Sequence, residues 1–219
     1  MKLIVFDCDG TLVDGQHLIL DAMKSACRVC DTPYPGDEAI RQIVGLSLME
    51  AIGICHPGEN KATHLALKDA FVARFQELRK LDDVPEPLFD GVKEVIESLS
   101  EAGYLLGIAT GKSRRGLEIT LKNHGLRDYF LTLNTADDGP GKPHPSMLLN
   151  AMQDVGAMAE NTFMIGDTTY DIHMAQAAKV RAVGVTWGYH EPEKLMQAGA
   201  DHMIDHISHL RKILDETVL

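Results

Sequence analysis

Short apolar runs separated by helical patterns are the feature that most constrains how this chain folds. Five such runs occur, at residues 3–6, 104–109, 130–133, 162–165 and 181–185. A continuous apolar run is typical of a strand that is buried on both faces of a sheet. Helical patterns separate most of these runs, at residues 91–102, 113–124, 145–155 and 170–178. The alternation predicts an α/β fold, a three-layer Rossmann-like parallel sheet with helices on both faces.

The alternation is interrupted once, between the first strand and the second. From about residue 14 to residue 84 the sequence shows no convincing strand pattern. Amphipathic helical patterns occur instead, at residues 18–29, 38–44, 48–54 and 61–81. We therefore predict a small α-helical cap domain at residues 14–85, inserted into a catalytic core of residues 1–13 and 86–219. The chain is expected to cross between them near residues 13–15 and 83–87.

Charge and cysteine content narrow the kinds of partner and compartment. The chain has 219 residues and a formal net charge of −11 at pH 7, whereas a protein that binds nucleic acid needs a basic surface. No apolar run approaches the roughly 18 residues that a membrane span requires. Cys27 and Cys30 are spaced for one face of a helix, and we interpret them as small buried side chains. We expect a cytoplasmic protein with reduced thiols and without nucleic-acid or membrane partners.

Polar side chains follow four of the predicted strands, at the point where each strand ends or in the loop beyond it. In strand order these residues are Asp7 and Asp9, Thr110, Lys142, and Asp167 with Asp171. Taken singly, each has an ordinary explanation as a turn residue, a helix cap or a surface lysine. Because ligands bind beyond the carboxyl ends of parallel strands, the ordered set predicts one site at one edge of the sheet.

The chemistry of phosphoryl transfer explains why these residue types occur together. A phosphate monoester is a dianion, and Mg²⁺ bound by oxygen ligands offsets its repulsion of an anionic nucleophile. Asp7 and Asp167 can supply such ligands from adjacent strand ends. Thr110 and Lys142 can bind the phosphoryl oxygens. Asp9 lies where the chain turns, so its carboxyl group can approach the leaving oxygen as a proton donor.

These motifs resemble those of the haloacid dehalogenase superfamily. Residues 7–14 resemble its first motif, Thr110 with Gly111 the second, Lys142 the third, and residues 166–171 the fourth. The resemblance covers the whole chain, because the motif order and the position of the helical insertion also agree. Within the superfamily, the chain is most similar to phosphoglycolate-phosphatase-like members that carry a helical cap after the first motif.

The resemblance implies a role for each motif residue. Asp7 would attack phosphorus and become an aspartyl phosphate, and Asp9 would protonate the leaving alcohol and then activate water. Mg²⁺ would be bound by the Asp7 carboxylate, the Asp9 backbone carbonyl and Asp167, while Asp171 would orient Lys142 or metal-bound water. The residues expected to bind phosphate are Gly10, Thr110, Gly111 and Lys142.

Substrate choice is expected to depend on the cap. Residues 43–47 resemble the cap loop that approaches the site in related enzymes, where Gly45 permits close backbone contact. Arg41 precedes this loop and is a candidate to bind a substrate carboxylate, and His17 is a second candidate near the first crossing. For both side chains, a solvent-facing position is the alternative interpretation.

We therefore predict a magnesium-dependent phosphatase that hydrolyses a small phosphomonoester, phosphoglycolate-like or a sugar phosphate. Its partner would be a small phosphorylated metabolite, and the protein would be a monomer or a dimer. Dehalogenases and phosphonatases of the superfamily lack the second aspartate of the first motif, so Asp9 argues against both. A sugar phosphomutase shares all four motifs and remains an alternative. A non-catalytic binding module is a third, although the intact Asp7, Asp9, Lys142 and Asp167 argue against it.

Overall fold

A six-stranded parallel sheet forms the centre of the protein. The computed structural model describes residues 1–81 and 86–216. The strands are β1 (Leu3–Phe6), β2 (Leu105–Ala109), β3 (Thr132–Asn134), β4 (Thr162–Gly166), β5 (Arg181–Val185) and β6 (His202–Ile204). Their order across the sheet is β3-β2-β1-β4-β5-β6, and all neighbours are parallel. The predicted α/β class with a Rossmann-like parallel sheet is thereby confirmed. The sixth strand was not predicted.

Ten helices accompany the strands within the described residues. They are α1 (Gln16–Val29), α2 (Asp37–Arg41), α3 (Leu48–Cys55), α4 (Lys61–Leu78), α5 (Val92–Glu101), α6 (Arg114–Asn123), α7 (Ser146–Val155), α8 (Thr169–Ala178), α9 (Pro192–Gln197) and α10 (Leu210–Glu216). Helices α1 to α4 lie between β1 and β2, where the helical insertion was expected. The boundary predicted at residue 85 lies outside the described residues, so the division into domains stays a prediction.

Strand β1 shows how the apolar runs build a core on both faces of the sheet. Its side chains point alternately to opposite faces. Leu3 and Val5 join a cluster with residues of α7 and α8, while Ile4 and Phe6 join one with residues of α5, α6 and α10. All four side chains are fully buried. Every residue of β1 is apolar because helices cover both faces of the strand.

Helices α1 to α4 share a hydrophobic cluster of their own. It contains Met23, Ile40, Ile52 and Leu67, each at most 1% exposed. Cys27 is buried in this cluster, as predicted, whereas Cys30 is only partly buried. Helix α2 ends at Arg41, three residues before its predicted end, and the chain continues through turns toward the loop at residues 43–47. Among the described helices, none is long and apolar enough to cross a membrane.

A buried group of charges joins the end of the cap to the core. Arg79 follows α4, and its Nη2 atom lies 2.8 Å from Glu86 Oε2 and 2.6 Å from the hydroxyl oxygen of Thr120 on α6. Lys112 Nζ lies 3.1 Å from Glu86 Oε1. Burial acts to raise the pKa of Glu86, but Lys112 and Arg79 outweigh it and lower the pKa from 4.5 to about 2. The ionised form of Glu86 is therefore strongly favoured in the folded protein.

We expect Glu86→Gln to destabilise the protein in a pH-dependent way. A carboxylate with a depressed pKa stabilises the folded state above its unfolded pKa, and this contribution is lost as the pH falls through the folded pKa. The shift of Glu86 corresponds to about 3 kcal/mol at pH 7, and the contribution should decline between pH 4.5 and about 2.

Urea unfolding of wild type and variant at pH 7 and at pH 3 measures this effect. The difference in unfolding free energy should be large at pH 7 and at least halved at pH 3. Glu160→Gln serves as the control, because Glu160 is exposed and the same change there should have little effect at either pH. An equal cost of Glu86→Gln at both pH values would contradict the prediction.

Candidate active site

Three buried carboxylates meet where β1 and β4 end. Asp7 follows β1, Asp167 follows β4, and Asp171 lies in the first turn of α8. Strands β1 and β4 are neighbours in the sheet, so their carboxyl ends adjoin. One carboxylate oxygen of each residue lies within 4.8 Å of the others, and all three side chains are at most 1% exposed. The structure thus brings together the carboxylates that the sequence predicted to converge.

Lys142 joins two of these carboxylates. It lies in the loop between β3 and α7, and its Nζ atom is 2.8 Å from Asp7 Oδ1 and 2.6 Å from Asp171 Oδ1. Burial of the side chain acts to lower the pKa of Lys142, but the charges of Asp171 and Asp7 outweigh it and raise the pKa above its ordinary value. Lys142 is therefore held as a cation beside Asp7.

Asp171 is fixed by hydrogen bonds from the start of α8. Its Oδ2 atom accepts from the backbone N–H of Thr168 at 3.0 Å and from the Thr168 hydroxyl at 2.7 Å, and its Oδ1 atom accepts from Lys142. Thr168 and Asp171 form a capping box, the reciprocal bonding that begins many helices. With both oxygens engaged, Asp171 is placed to orient Lys142.

Asp167 is held from two sides, by the loop after β1 and by the loop after β5. Its Oδ1 atom accepts from the hydroxyl of Thr11 at 2.8 Å, and its Oδ2 atom accepts from the backbone N–H of Tyr189 at 2.9 Å. Gly10 has a φ of 83°, and a Cβ atom there would lie 2.3 Å from Asp167 Oδ2 and 2.4 Å from the Tyr189 ring. Only glycine fits this position. Its predicted contact with phosphate stays a prediction.

The carboxylate cluster carries more negative charge than Lys142 balances. Burial raises the pKa of Asp7 to about 7, against the opposing effect of Lys142. Burial, together with the charges of Asp7 and Asp171, also raises the pKa of Asp167. Oδ2 of Asp7 is buried without a hydrogen-bond partner among the described residues. A divalent cation with carboxylate ligands would relieve each of these features, so the residues present fit such an ion.

Asp9 is paired with a second lysine, which was not predicted to belong to the site. Lys112 Nζ lies 2.8 Å from Asp9 Oδ1, and the same atom contacts Glu86. Burial acts to lower the pKa of Lys112, but Asp9 and Glu86 outweigh it and raise the pKa. The sequence contained a signal for this contact, because Lys112 directly follows Thr110 and Gly111 at the end of β2. The position of the long Lys112 side chain also depends on the cap, which the pattern of residues at strand ends does not predict.

A cavity of about 880 Å³ opens above these residues, between the core and the cap. Asp7, Asp9, Thr110 and Gly111 line its core side. The cap loop at residues 43–47 lines the opposite side, so the expected approach of this loop to the site is found in the structure. Two side chains of the core bond a backbone carbonyl beside this loop: the Tyr170 hydroxyl and His190 Nε2 donate to the Gln42 oxygen at 3.0 and 3.2 Å.

The two candidate cap side chains are not brought to this cavity. Arg41 contacts Glu38 on its own helix at 3.6 Å and is not among the described residues that line the cavity. His17 is exposed at the start of α1 and is likewise absent from that lining. Arg41 and Glu38 are three residues apart on one face of α2, a spacing at which oppositely charged side chains contact each other. This local contact explains why the Arg41 side chain lies beside Glu38. Substrate binding by either residue stays a prediction.

Comparison with known proteins agrees with this arrangement. The chain is 38% identical to a protein named probable phosphatase IndB from Dickeya dadantii, over 94% of this chain and 90% of the relative. It is 29% identical to the pyrophosphatase PpaX of Bacillus pumilus, over 98% and 96%. A crystal structure of a predicted phosphoglycolate phosphatase from Haemophilus somnus superimposes with a TM-score of 0.84 at 25% identity, covering 97% of each chain.

The family assignment rests on most of the sequence. The sequence model of the haloacid dehalogenase-like hydrolases matches residues 4–185, which include nearly all of β1, all of β2 to β5, and the aspartates and lysines of the site described above. The resemblance inferred from the motifs is therefore confirmed. This chain belongs to the family of haloacid dehalogenase-like hydrolases.

Proposed function

We propose that this hydrolase is a magnesium-dependent phosphatase that cleaves a small phosphomonoester through a phosphoryl group carried on Asp7. The observation that carries the proposal is the buried Asp7 carboxylate, paired on one oxygen with Lys142 and free on the other among the described residues, in the lining of a cavity between the core and the cap. The printed names of the relatives, a phosphatase and a pyrophosphatase, support phosphoryl transfer as the reaction class. Phosphoglycolate-like esters and sugar phosphates are the candidate substrates from the motifs.

Asp7 acts as the nucleophile. Lys142 holds Oδ1, so Oδ2 is the oxygen that attacks phosphorus. The new Oδ2–P bond forms as the bond from phosphorus to the leaving oxygen breaks. Thr110 and Lys142 bind the remaining phosphoryl oxygens, where charge accumulates in the transition state.

The metal would be held by the carboxylates of Asp7 and Asp167 together with the backbone carbonyl of Asp9. When bound, Mg²⁺ offsets the repulsion between the anionic nucleophile and the phosphate dianion. Thr11 and the Tyr189 N–H keep Asp167 oriented toward Asp7. Each carboxylate oxygen of Asp167 has a lone pair left after these hydrogen bonds.

Asp9 moves the protons. It donates a proton to the leaving alcohol in the first step. In the second step it takes a proton from the water that attacks the aspartyl phosphate at phosphorus, which releases inorganic phosphate and restores Asp7. Lys112 fixes the Asp9 carboxylate at one edge of the cavity, and a fixed position is what proton transfer to a bound leaving group requires.

The cap loop excludes water during the reaction. Its backbone lies against Gly111, since a Cβ atom there would lie 2.4 Å from the carbonyl oxygen of Leu46 and 2.7 Å from that of Gly45. This contact lies one residue from Thr110. Closure of such a loop protects a reactive intermediate from adventitious hydrolysis.

The first test is Asp7→Asn. With Mg²⁺ present, we expect wild type to release phosphate from p-nitrophenyl phosphate, and the variant to lose roughly 10³-fold or more in kcat/KM because the nucleophile is gone. Removal of metal with EDTA should abolish wild-type release, and added Mg²⁺ should restore it. Asp128→Asn is the matched control, because Asp128 is exposed, and it should retain activity.

Trapping distinguishes the proposed intermediate from direct attack by water. Borohydride reduces an aspartyl phosphate to homoserine, so acid-quenched enzyme treated in this way should show that mass change at residue 7. Full activity of Asp7→Asn, or a labelled site elsewhere, would refute the mechanism. Interconversion of sugar phosphates without net phosphate release would instead identify a mutase.

A further test addresses the cap contact. Gly111→Ala places a methyl group where the backbone of residues 45 and 46 lies, so the loop must move away from the site. We expect kcat/KM to fall by about tenfold or more, as small misplacements at reacting groups do, while the urea unfolding midpoint is retained. Gly53→Ala is the control, because nothing lies within 4 Å of a Cβ atom there. Undiminished kcat/KM in Gly111→Ala would show that the contact has no role in turnover.

A further inference from the structure

The cavity beyond Asp7 and Asp9 is walled mainly by apolar side chains. Its volume of about 880 Å³ lies in the upper part of the range, about 300–1,000 Å³, that is typical of pockets for drug-sized ligands. A two-carbon acid would leave most of this space unfilled. The apolar residues that form the walls include Ile19, Met23, Ile40, Phe71, Phe75 and Ile119.

The cations nearest the proton donor are already paired. Lys112 contacts both Asp9 and Glu86, and Arg79 makes two contacts of 2.8–2.9 Å with Glu86. A carboxylate or second phosphate on a small leaving group would enter this apolar space without a free counterion beside Asp9. An unpaired charge in such surroundings is strongly disfavoured.

The remaining cations of the lining are more exposed. Lys68 is 37% exposed at its side chain and contacts Asp69 at 3.4 Å. Lys80 and Arg115 are exposed to solvent. These side chains can meet charges at the entrance of the cavity, whereas the interior next to Asp9 presents paired charges and apolar surface.

Phe75 extends the apolar wall up to the proton donor. Arg79 lies 4.8 Å and Lys112 Nζ 5.4 Å from the centre of its ring. Its ring stacks on that of Phe71, with centroids 5.7 Å apart and planes inclined by 18°. Contacts with Phe71, Arg79 and Lys112 therefore hold the Phe75 ring in place. The ring borders the space that the leaving group would enter, next to the Lys112–Asp9 pair.

We infer that the leaving group of the substrate is a bulky, uncharged alcohol with an apolar face, of the size of a ring system. Two-carbon acids and phosphate are the wrong size and charge for this cavity. The inference rests on the proposed phosphatase activity and narrows its substrate class. It adds a second function to the cap, which supplies the apolar surface that binds the alcohol.

A series of primary-alcohol esters tests this inference at nearly constant leaving-group reactivity. Wild-type enzyme with Mg²⁺ would be assayed for phosphate release from ethyl phosphate, phosphoglycolate, benzyl phosphate and 2-naphthylmethyl phosphate, with pyrophosphate alongside. We expect kcat/KM to rise from ethyl to benzyl to naphthylmethyl phosphate, by about fivefold or more per ring. Phosphoglycolate and pyrophosphate should lie below benzyl phosphate.

The outcomes separate the two proposals. If phosphoglycolate or pyrophosphate has the highest kcat/KM, or if added rings have no effect, the inference is overturned while phosphatase activity stands. If no ester and no pyrophosphate is cleaved, the proposed function itself fails.

Two variants locate the effect in this cavity. Val72 on α4 and Ile119 on α6 line it and are 38% and 37% exposed, so serine at either position should leave the fold intact. In Val72→Ser and Ile119→Ser, the ratio of kcat/KM for naphthylmethyl phosphate to that for ethyl phosphate should fall about three- to tenfold. Leu149→Ser, at a position 47% exposed and outside the lining, should leave this ratio unchanged. An unchanged ratio in both cavity variants would overturn the inference.

Discussion

The contact of Lys142 with Asp7 and Asp171 is the interaction on which the rest of the site depends. A single buried ammonium faces three buried carboxylates, and the folded chain tolerates this only because the other oxygens have donors. Thr168 supplies those of Asp171, and Thr11 with the Tyr189 N–H supplies those of Asp167. Of the three carboxylates, only that of Asp7 has an oxygen without a partner among the described residues. Binding of a cation there would stabilise the fold, because a ligand that binds only the folded state stabilises it.

Asp7, the proposed nucleophile, and Asp9, the proposed proton donor, are each paired with a lysine, and the two lysines are positioned by different parts of the chain. Lys142 is fixed by the helix start at Thr168 and Asp171, entirely within the core. Lys112 is fixed by Glu86, which in turn is held by Arg79 at the end of the last cap helix. Asp9 is therefore linked to the end of α4 through Lys112, Glu86 and Arg79. The Lys142–Asp7 pair has a different link to the cap loop, because a Cβ atom on Gly45 would lie 3.1 Å from the Thr168 hydroxyl oxygen.

The sequence was most informative about site residues whose positions follow from the alternation of strands and helices. Asp7, Thr110 and Asp167 lie at strand ends, and the ends of parallel strands adjoin whatever the surrounding helices do. The pairing of Lys112 with Glu86 could not be predicted, because it depends on how the cap returns to the core. Strand β6 was missed because it has only three residues, of which only Ile204 is buried. Arg41 was a candidate from its place before the cap loop; it contacts Glu38 one turn away, and substrate binding by Arg41 stays a prediction.

Overall similarity does not determine what this enzyme cleaves, since relatives that match nearly the whole chain are named for different reactions. The core residues that we propose to bind phosphate would contact the part that all phosphate esters share. Discrimination between esters must therefore depend on the surfaces that contact the leaving group. Here the backbone carbonyls of Gln42, Gly45 and Leu46 face the core near the site, and the side chains of the cap that line the cavity are mostly apolar. Discrimination in such a cavity follows from shape and apolar area, so substitutions among these side chains can change the substrate while the phosphoryl-transfer machinery stays the same.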